Sequence, residues 1–336
     1  MFRYRQPLYS VIISCRMFLL GLLREHRRVI VSCRNSGFGD NLLAAANAWY
    51  YAKNTHRALV IYWFHSRYIA DIGENAFTHF FTIPASIDGV PVIADYRLDR
   101  LSDFLLRHPD YLLPRPDPIL FLYGILKKLG IGRNERHRRR MLSRQEMTDG
   151  KIEALADADE RIIITHGCYS PHLYLKPFFD SLVLKEEYLS RAEAFWNLHL
   201  KGKKVIGVHI RYYSPDRPFS FHTDYWLDHA KALSECMDKI QKAAASLGQS
   251  EHVIFLCTDS RMVNDFISRS LENVVTYDKQ FGTDVTKELH DELPVETAAA
   301  TVIEMFLLAR SDVLVRFPPG SWFSHYASLY VEEIIS

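Results

Sequence analysis

One succession of segments near the N-terminus restricts the fold more than any other feature. RRVIVSC at 27–33 is a short apolar run with β-branched residues, and RNSGFGDN at 34–41 is a polar turn holding two glycines. LLAAANAWYYAKNTH at 42–56 combines strong helix formers with apolar residues three and four apart, and ALVIYW at 58–63 is apolar again. Strand, tight turn, helix, strand is the order of a βαβ unit, because parallel neighbours need a crossover and a helix supplies it. The expected class is therefore α/β, a sheet with helices on its faces.

A second unit of this kind starts near 200. KKVIGVHIR at 203–211 predicts a strand running into a long polar loop, and 225–247 predicts a helix. HVIFLCTDS at 252–260 and NVVTY at 273–277 predict further strands. ETAAATVIEMFLLARSD at 296–312 reads as a helix, VLVRF at 313–317 as a strand closed by PPGS, and WFSHYASLYVEEI at 322–334 as a terminal helix. Between the units, RIIITHG at 161–167 predicts one more strand, and VPVIAD at 90–95 is a short apolar segment. The prolines of LLPRPDPIL at 112–120 disfavour a continuous helix or a central strand there. The expected organisation is a leader over 1–26, an N-terminal α/β domain over 27–200 and a C-terminal one over 201–336, with a cleft between the domains.

Composition narrows the class. The 336 residues suit two domains, and 48% apolar content excludes a mostly disordered chain. With 41 basic and 40 acidic side chains, an obligate nucleic-acid binder is disfavoured. The basic run GRNERHRRRMLSR at 132–144 reads as a solvated face rather than a polyanion site. Cys15, Cys33, Cys168, Cys236 and Cys257 are scattered and form no CxxC pair, which indicates neither a zinc knuckle nor a disulfide scaffold.

The even charge total hides an asymmetry. Residues 1–34 carry seven arginines and one glutamate, so the rest of the chain is net negative. The leader also holds VII at 11–13 and MFLLGLL at 17–23, interrupted by Arg16 and short of the about 20 apolar residues a membrane span needs. No small-x-small cleavage site clearly precedes the next strand, which weakens a signal peptide. Packing on the protein body and lying on an anionic membrane both fit. The expected location is cytoplasmic, with peripheral contact at the inner face of a membrane left open.

Four polar segments stand at the ends of predicted strands, the edge where ligands gather in open α/β sheets. SGFGDN at 36–41 contains GxG but has leucine at 42, where the third glycine of a dinucleotide fingerprint would stand. Gly37 and Gly39 are read as permitting the turn, and Asp40 either caps the helix or faces the cleft. In HIR, Val208 and Ile210 share one strand face while His209 and Arg211 share the other. Arg211 at the strand end is a candidate clamp for a diphosphate, against the alternative of a surface salt bridge. Thr258, Asp259 and Ser260 suit a base or ribose, or equally a helix cap. Arg316, Gly320, Ser321 and Ser324 surround a proline–glycine turn before a helix, a candidate holder of the distal phosphate. The chain has no HExxH, P-loop, GxSxG elbow or closely spaced acidic metal set, which lowers protease, NTPase and hydrolase readings.

Taken in order, these segments resemble the bacterial nodulation fucosyltransferases of the NodZ type, relatives of the animal α1,6-fucosyltransferases. The resemblance is carried by SCRNSGFGDNLLAAANAWYYAKNTHRALVIYW at 32–63, AFTHFF at 76–81, VIGVHIR at 205–211, VIFLCTDS at 253–260 and EMFLLARSDVLVRFPPGSWFSHYASL at 304–329. It spans about 28–330 and is loose through 100–200. It implies a GT-B-like architecture of two facing Rossmann-like domains. It also implies inverting transfer of fucose from GDP-β-L-fucose to the 6-hydroxyl of N-acetylglucosamine, without a metal or other cofactor. The implied partners are a nucleotide sugar and a glycan acceptor. Arg211 would stabilise the leaving diphosphate; His209, Thr258, Asp259, Ser260, Arg316, Gly320, Ser321 and Ser324 would contact the donor. Arg34, Gly37, Gly39 and Asp40 would border the cleft on the acceptor side.

One departure from the family pattern bears on mechanism. Where nodulation enzymes continue after HxR with histidine and a glycine-rich acidic loop, this chain reads YYSPDRPFSFHTDYW over 212–226, with Tyr212 in place of a basic residue. Asp216 and Asp224 are rival candidates for the general base. The competing functions are a transferase using another nucleotide sugar in surface-polysaccharide assembly and a nonenzymatic nucleotide- or sugar-binding protein.

Overall fold

β1, Val29–Ser32, is buried along its whole length and joins a parallel neighbour through one long helix. The helix is α1, Phe38–Thr55, and the neighbour is β2, Ala58–Ile61, also wholly buried. A strand covered on both faces needs no polar alternation, which is why both segments are continuous apolar runs. The structure, a computed structural model, describes residues 26, 28–34, 36–63, 68, 75–94, 162–165, 173–212, 226–248, 251–281 and 295–336. The chain divides into two compact units between Val183 and Leu184, with Gly37–Gly39 grouped in the second.

The first unit continues through α2, Ala76–Phe80, and a hairpin of β3, Ser86–Ile87, and β4, Val90–Ile93. Asp88 and Gly89 both have positive φ, 48° and 78°, the conformation a two-residue hairpin turn demands. With β5, Ile162–Thr165, the sheet order is β3-β4-β2-β1-β5, parallel except at the hairpin. Asn75 knits the end of β2 to the end of β4. Its amide nitrogen donates to the carbonyls of Ile61 and Ala94 at 2.8 and 2.9 Å, and its Oδ1 accepts from the amides of Trp63 and Phe77.

The second unit opens with α3, Glu186–Phe195, and builds a wholly parallel five-stranded sheet. In chain order it has β6, Lys204–Ile210, α4, His229–Ser246, β7, His252–Thr258, and α5, Arg261–Ser270. There follow β8, Val274–Val275, α6, Val295–Leu308, β9, Val313–Phe317, α7, Phe323–Ala327, and β10, Glu333–Ile335. The sheet order is β8-β7-β6-β9-β10. Helix α3, which precedes the expected boundary at 200/201, packs on α6 in this unit. Ile206, Val208, Ile210, Ile254, Leu256, Val313, Val315 and Phe317 share one core with Trp226 and the apolar sides of α4 and α5. Gly207 lies on the opposite side of β6, where a Cβ would stand 2.2 Å from Ser311 Oγ, so only glycine fits.

The terminal helix expected over 322–334 is corrected. Only Phe323–Ala327 is helical, and Glu333–Ile335 forms β10, paired in parallel with β9 as Val313↔Glu333, Leu314↔Ile334 and Val315↔Ile335. The amides of Leu329 and Tyr330 make short-range turn bonds to Tyr326 and Ala327. Covering the open edge of β9 satisfies its backbone groups, which a continued helix would leave exposed, and isoleucines at 334 and 335 suit a strand. The helix expected at 42–56 starts earlier, at Phe38, so Gly39 and Asp40 lie in its first turn. Helix α5 follows the segment 258–260, whose helix-cap reading Ser260 fits, and α3 had no sequence expectation.

Candidate active site

Three polar strand ends of the second unit come together at the carboxyl edge of its sheet. Strand register sets His209 of β6 beside both Cys257 of β7 and Arg316 of β9. Val208 and Ile210 enter the shared core, and His209 lies on the other side of the sheet, as strand alternation requires. Its ring is buried and packs 4.8 Å from that of Phe323, and its Nδ1 is buried with no hydrogen-bond partner among the described residues. Burial first, then the positive charges of Arg211 and Arg316, hold His209 well below its ordinary pKa. It is a neutral imidazole at pH 7.

Arg211 follows directly. Its amide donates to Phe317 O at 2.8 Å, and its carbonyl accepts from the indole Nε1 of fully buried Trp226 at 3.0 Å. Its Nη1 donates to Asp259 Oδ2 at 2.6 Å, while Asp259 Oδ1 accepts from the Tyr212 amide at 2.9 Å. About a third of the Arg211 side chain is exposed, so the guanidinium faces solvent from a fixed base. Ser260 caps α5, its Oγ accepting from Val263 N–H, and Thr258 Oγ1 accepts from the Ser260 amide. These two hydroxyls stiffen the turn that carries Asp259.

Arg316 is more deeply enclosed. Its Nε donates to Ser324 Oγ at 3.1 Å, and its Nη2 donates to Pro319 O at 2.5 Å and to the His325 ring, 3.0 Å from Nε2. A guanidinium has no acceptor, so the histidine nitrogen must be unprotonated. Burial, and then Arg316 itself, bring His325 down to about 3, and burial lowers Arg316 to about 10. Ser324 Oγ in turn donates to Ser321 O, and the Ser321 amide donates to Pro318 O. Arg316, Ser321 and Ser324 therefore splint the turn that contains Gly320.

The residues expected on the acceptor side cluster at the carboxyl end of β1. Asp40 accepts from Ser36 Oγ at 2.9 Å and lies 3.9 Å from Arg34 Nη2, while the Ser36 amide donates to Asn41 Oδ1. Gly39 lies in the first turn of α1 and does not have positive φ. Gly39 serves close approach instead: a Cβ there would stand 2.8 Å from backbone atoms of Trp322 and Phe323. Asp216 and Asp224 lie outside the described residues.

Sequence reasoning missed a buried ion pair on this side of the sheet. Lys279 Nζ bonds both carboxylate oxygens of Glu304, at 2.6 and 2.5 Å, and neither side chain is more than 7% exposed. A glutamate inside the apolar helical stretch TVIEMFLLAR was the signal that something must partner it. Burial pushes the Glu304 carboxyl up against the opposing pull of Lys279. Among the described residues no group of three or more His, Cys, Asp or Glu is arranged to hold a metal. No described helix is long and apolar enough to cross a membrane.

Known proteins match this geometry along nearly the whole chain. The chain is 30% identical over 314 residues to a nodulation protein Z of Sinorhizobium fredii, covering 92% of this chain and 93% of that one. A second nodulation protein Z, from Bradyrhizobium diazoefficiens, is 31% identical, with 92% and 80% covered. The crystal structure of a NodZ α-1,6-fucosyltransferase soaked with GDP-fucose superposes with a TM-score of 0.63 at 29% identity, over 91% of this chain and 94% of that one. The family model of nodulation protein Z matches residues 26–336, and this chain belongs to that family.

Proposed function

We propose that this chain is a fucosyltransferase that moves L-fucose from GDP-β-L-fucose to a glycan hydroxyl, the 6-hydroxyl of an N-acetylglucosamine, with inversion and without a metal. The observation that carries the reading is the match, over more than nine-tenths of both chains, to a NodZ α-1,6-fucosyltransferase soaked with GDP-fucose. The same reading takes the two units as the halves of a GT-B-like enzyme, the second binding the donor and the first the acceptor.

The chemistry asks for three services. The acceptor oxygen attacks the anomeric carbon opposite the β-phosphate, the bond from that carbon to the diphosphate oxygen breaks, and GDP leaves with the electron pair. Negative charge grows on the diphosphate, and the part-exposed guanidinium of Arg211 meets it. His209 offers a neutral ring whose buried Nδ1 has no hydrogen-bond partner among the described residues, the type of group a nucleotide atom satisfies. The acceptor proton passes to a base, for which Asp216 and Asp224 are the candidates.

A screen of purified protein with a panel of nucleotide sugars and chitin-type acceptors tests this. GDP-fucose is expected to give GDP and an α1,6-linked product by linkage analysis. Turnover of a different nucleotide sugar, or GDP binding without turnover on any acceptor, would replace the reading.

A further inference from the structure

We infer that Asp259 works through Arg211, as the positioning residue that aims the diphosphate clamp, rather than by touching the nucleotide. This rests on the donor reading above. Both carboxylate oxygens are engaged on consecutive residues of the β6 exit: Oδ2 takes the Arg211 guanidinium at 2.6 Å and Oδ1 takes the Tyr212 amide at 2.9 Å. One carboxylate thus fixes the direction of the guanidinium and the path by which the chain leaves the strand.

The rest of the clamp is equally constrained. The Arg211 backbone is held by Phe317 O on one side and by the Trp226 indole on the other, with the Tyr212 and Trp226 rings edge-on at 5.0 Å. Asp259 itself stands between buried Thr258, the last residue of β7, and Ser260, the buried cap of α5. Its carboxylate is therefore presented by two rigid elements.

Charge decides between aiming and direct contact. A carboxylate beside a diphosphate repels it, so Asp259 as a direct phosphate ligand would oppose binding. As a partner of arginine it engages one guanidinium N–H and holds the planar fork in a fixed direction. The cost is part of the cation's attraction for bound GDP; the gain is a donor fork already oriented when charge builds up on the leaving group. Removing the carboxylate should therefore depress turnover and leave GDP affinity intact.

A double-mutant cycle in the full chain tests this, with GDP binding by calorimetry and single-turnover transfer from GDP-fucose. Asp259→Asn keeps an oxygen for the Tyr212 amide and loses the charge. It is expected to lower the transfer rate by about 100-fold, the scale of a misplaced reacting group, without raising the Kd for GDP. In an Arg211→Ala background the same change should alter the rate less than about twofold, because the effect passes through the arginine. Asp259→Glu keeps the charge one methylene further out, guards against misfolding of the asparagine variant, and should also slow transfer at unchanged GDP affinity. A raised Kd with the rate retained, or effects that multiply in the double variant, would overturn the inference. A wild-type protein that neither binds GDP nor turns over GDP-fucose removes the donor reading itself, a result distinct from either.

Discussion

In the second unit His209, Arg316 and the Lys279–Glu304 pair are buried beside an Arg211 side chain that is 34% exposed, whereas at the end of β1 the charged side chains of Arg34 and Asp40, 3.9 Å apart, are 13% and 18% exposed. The strands differ in the same sense. β6 and β7 are seven residues long in a wholly parallel sheet, while β1 and β2 are four residues long in a sheet finished by an antiparallel hairpin. Burying charge costs free energy unless each group is paired: Lys279 bonds Glu304 across 25 residues, and Arg316 bonds Pro319, Ser324 and His325, three to nine residues on. Buried, hydrogen-bonded charge is oriented charge, and in the second unit it lies beside an arginine that reaches solvent.

The contrast breaks most readily at its buried ion pair. Glu304→Leu strands the Lys279 ammonium in the interior and is expected to destabilise the protein by about 3–5 kcal/mol. The exposed pair Lys53–Asp88 of the first unit, at 3.0 Å, should contribute no more than about 1 kcal/mol, read as the effect of Lys53→Ala. Chemical denaturation of both variants makes the comparison. Adding Lys279→Met to Glu304→Leu should recover most of the loss, since an apolar pair of similar volume costs little. Equal effects at the two sites would mean that the second unit gains nothing from its depth.

A second comparison separates space from backbone conformation. Gly207→Ala drives a Cβ into Ser311 beneath the second sheet and should cost about 1–3 kcal/mol. Gly89→Ala, in the first-unit hairpin, meets no atom within 4 Å but must hold φ at 78°, and should cost about 1 kcal/mol. Thermal unfolding ranks them. If Gly89→Ala is the more damaging, close packing under the second sheet is not what limits substitution there.

The parts legible in the sequence are those decided locally. VLVRF at 313–317 coincides with β9, and the β-branched and apolar runs at 252–258 and 58–61 fall within the segments expected to be strands. Helix α1 was legible from its spacing, but its first turn was not, because Gly39 there answers to the backbone at Trp322 and Phe323. The C-terminal segment was misread because strand β10 depends on the free edge of β9, a fact outside its own residues. Arg211, Asp259 and Arg316 were each singled out by their place at strand ends. That Asp259 holds Arg211 across 48 residues is a tertiary fact with no local sign, whereas Arg316 turns inward onto Pro319 and Ser324, three and eight residues on.

The finest test of the comparison is pH. An unfolded histidine takes up a proton near 6.5, yet His209 is held well below that value and His325 titrates only at about 3. Between these values the unfolded chain binds more protons than the folded one, so stability falls as pH falls below about 6.5. Each such histidine adds a slope of at most about 1.4 kcal/mol per pH unit. His325→Asn leaves an oxygen able to accept from Arg316 and removes one titrating group. Its unfolding free energy should lose less between pH 6.5 and 5 than that of the parent chain. Denaturation series at several pH values across that interval measure the difference. Identical slopes would show that His325 carries none of the acid sensitivity and would leave His209 as the group to test.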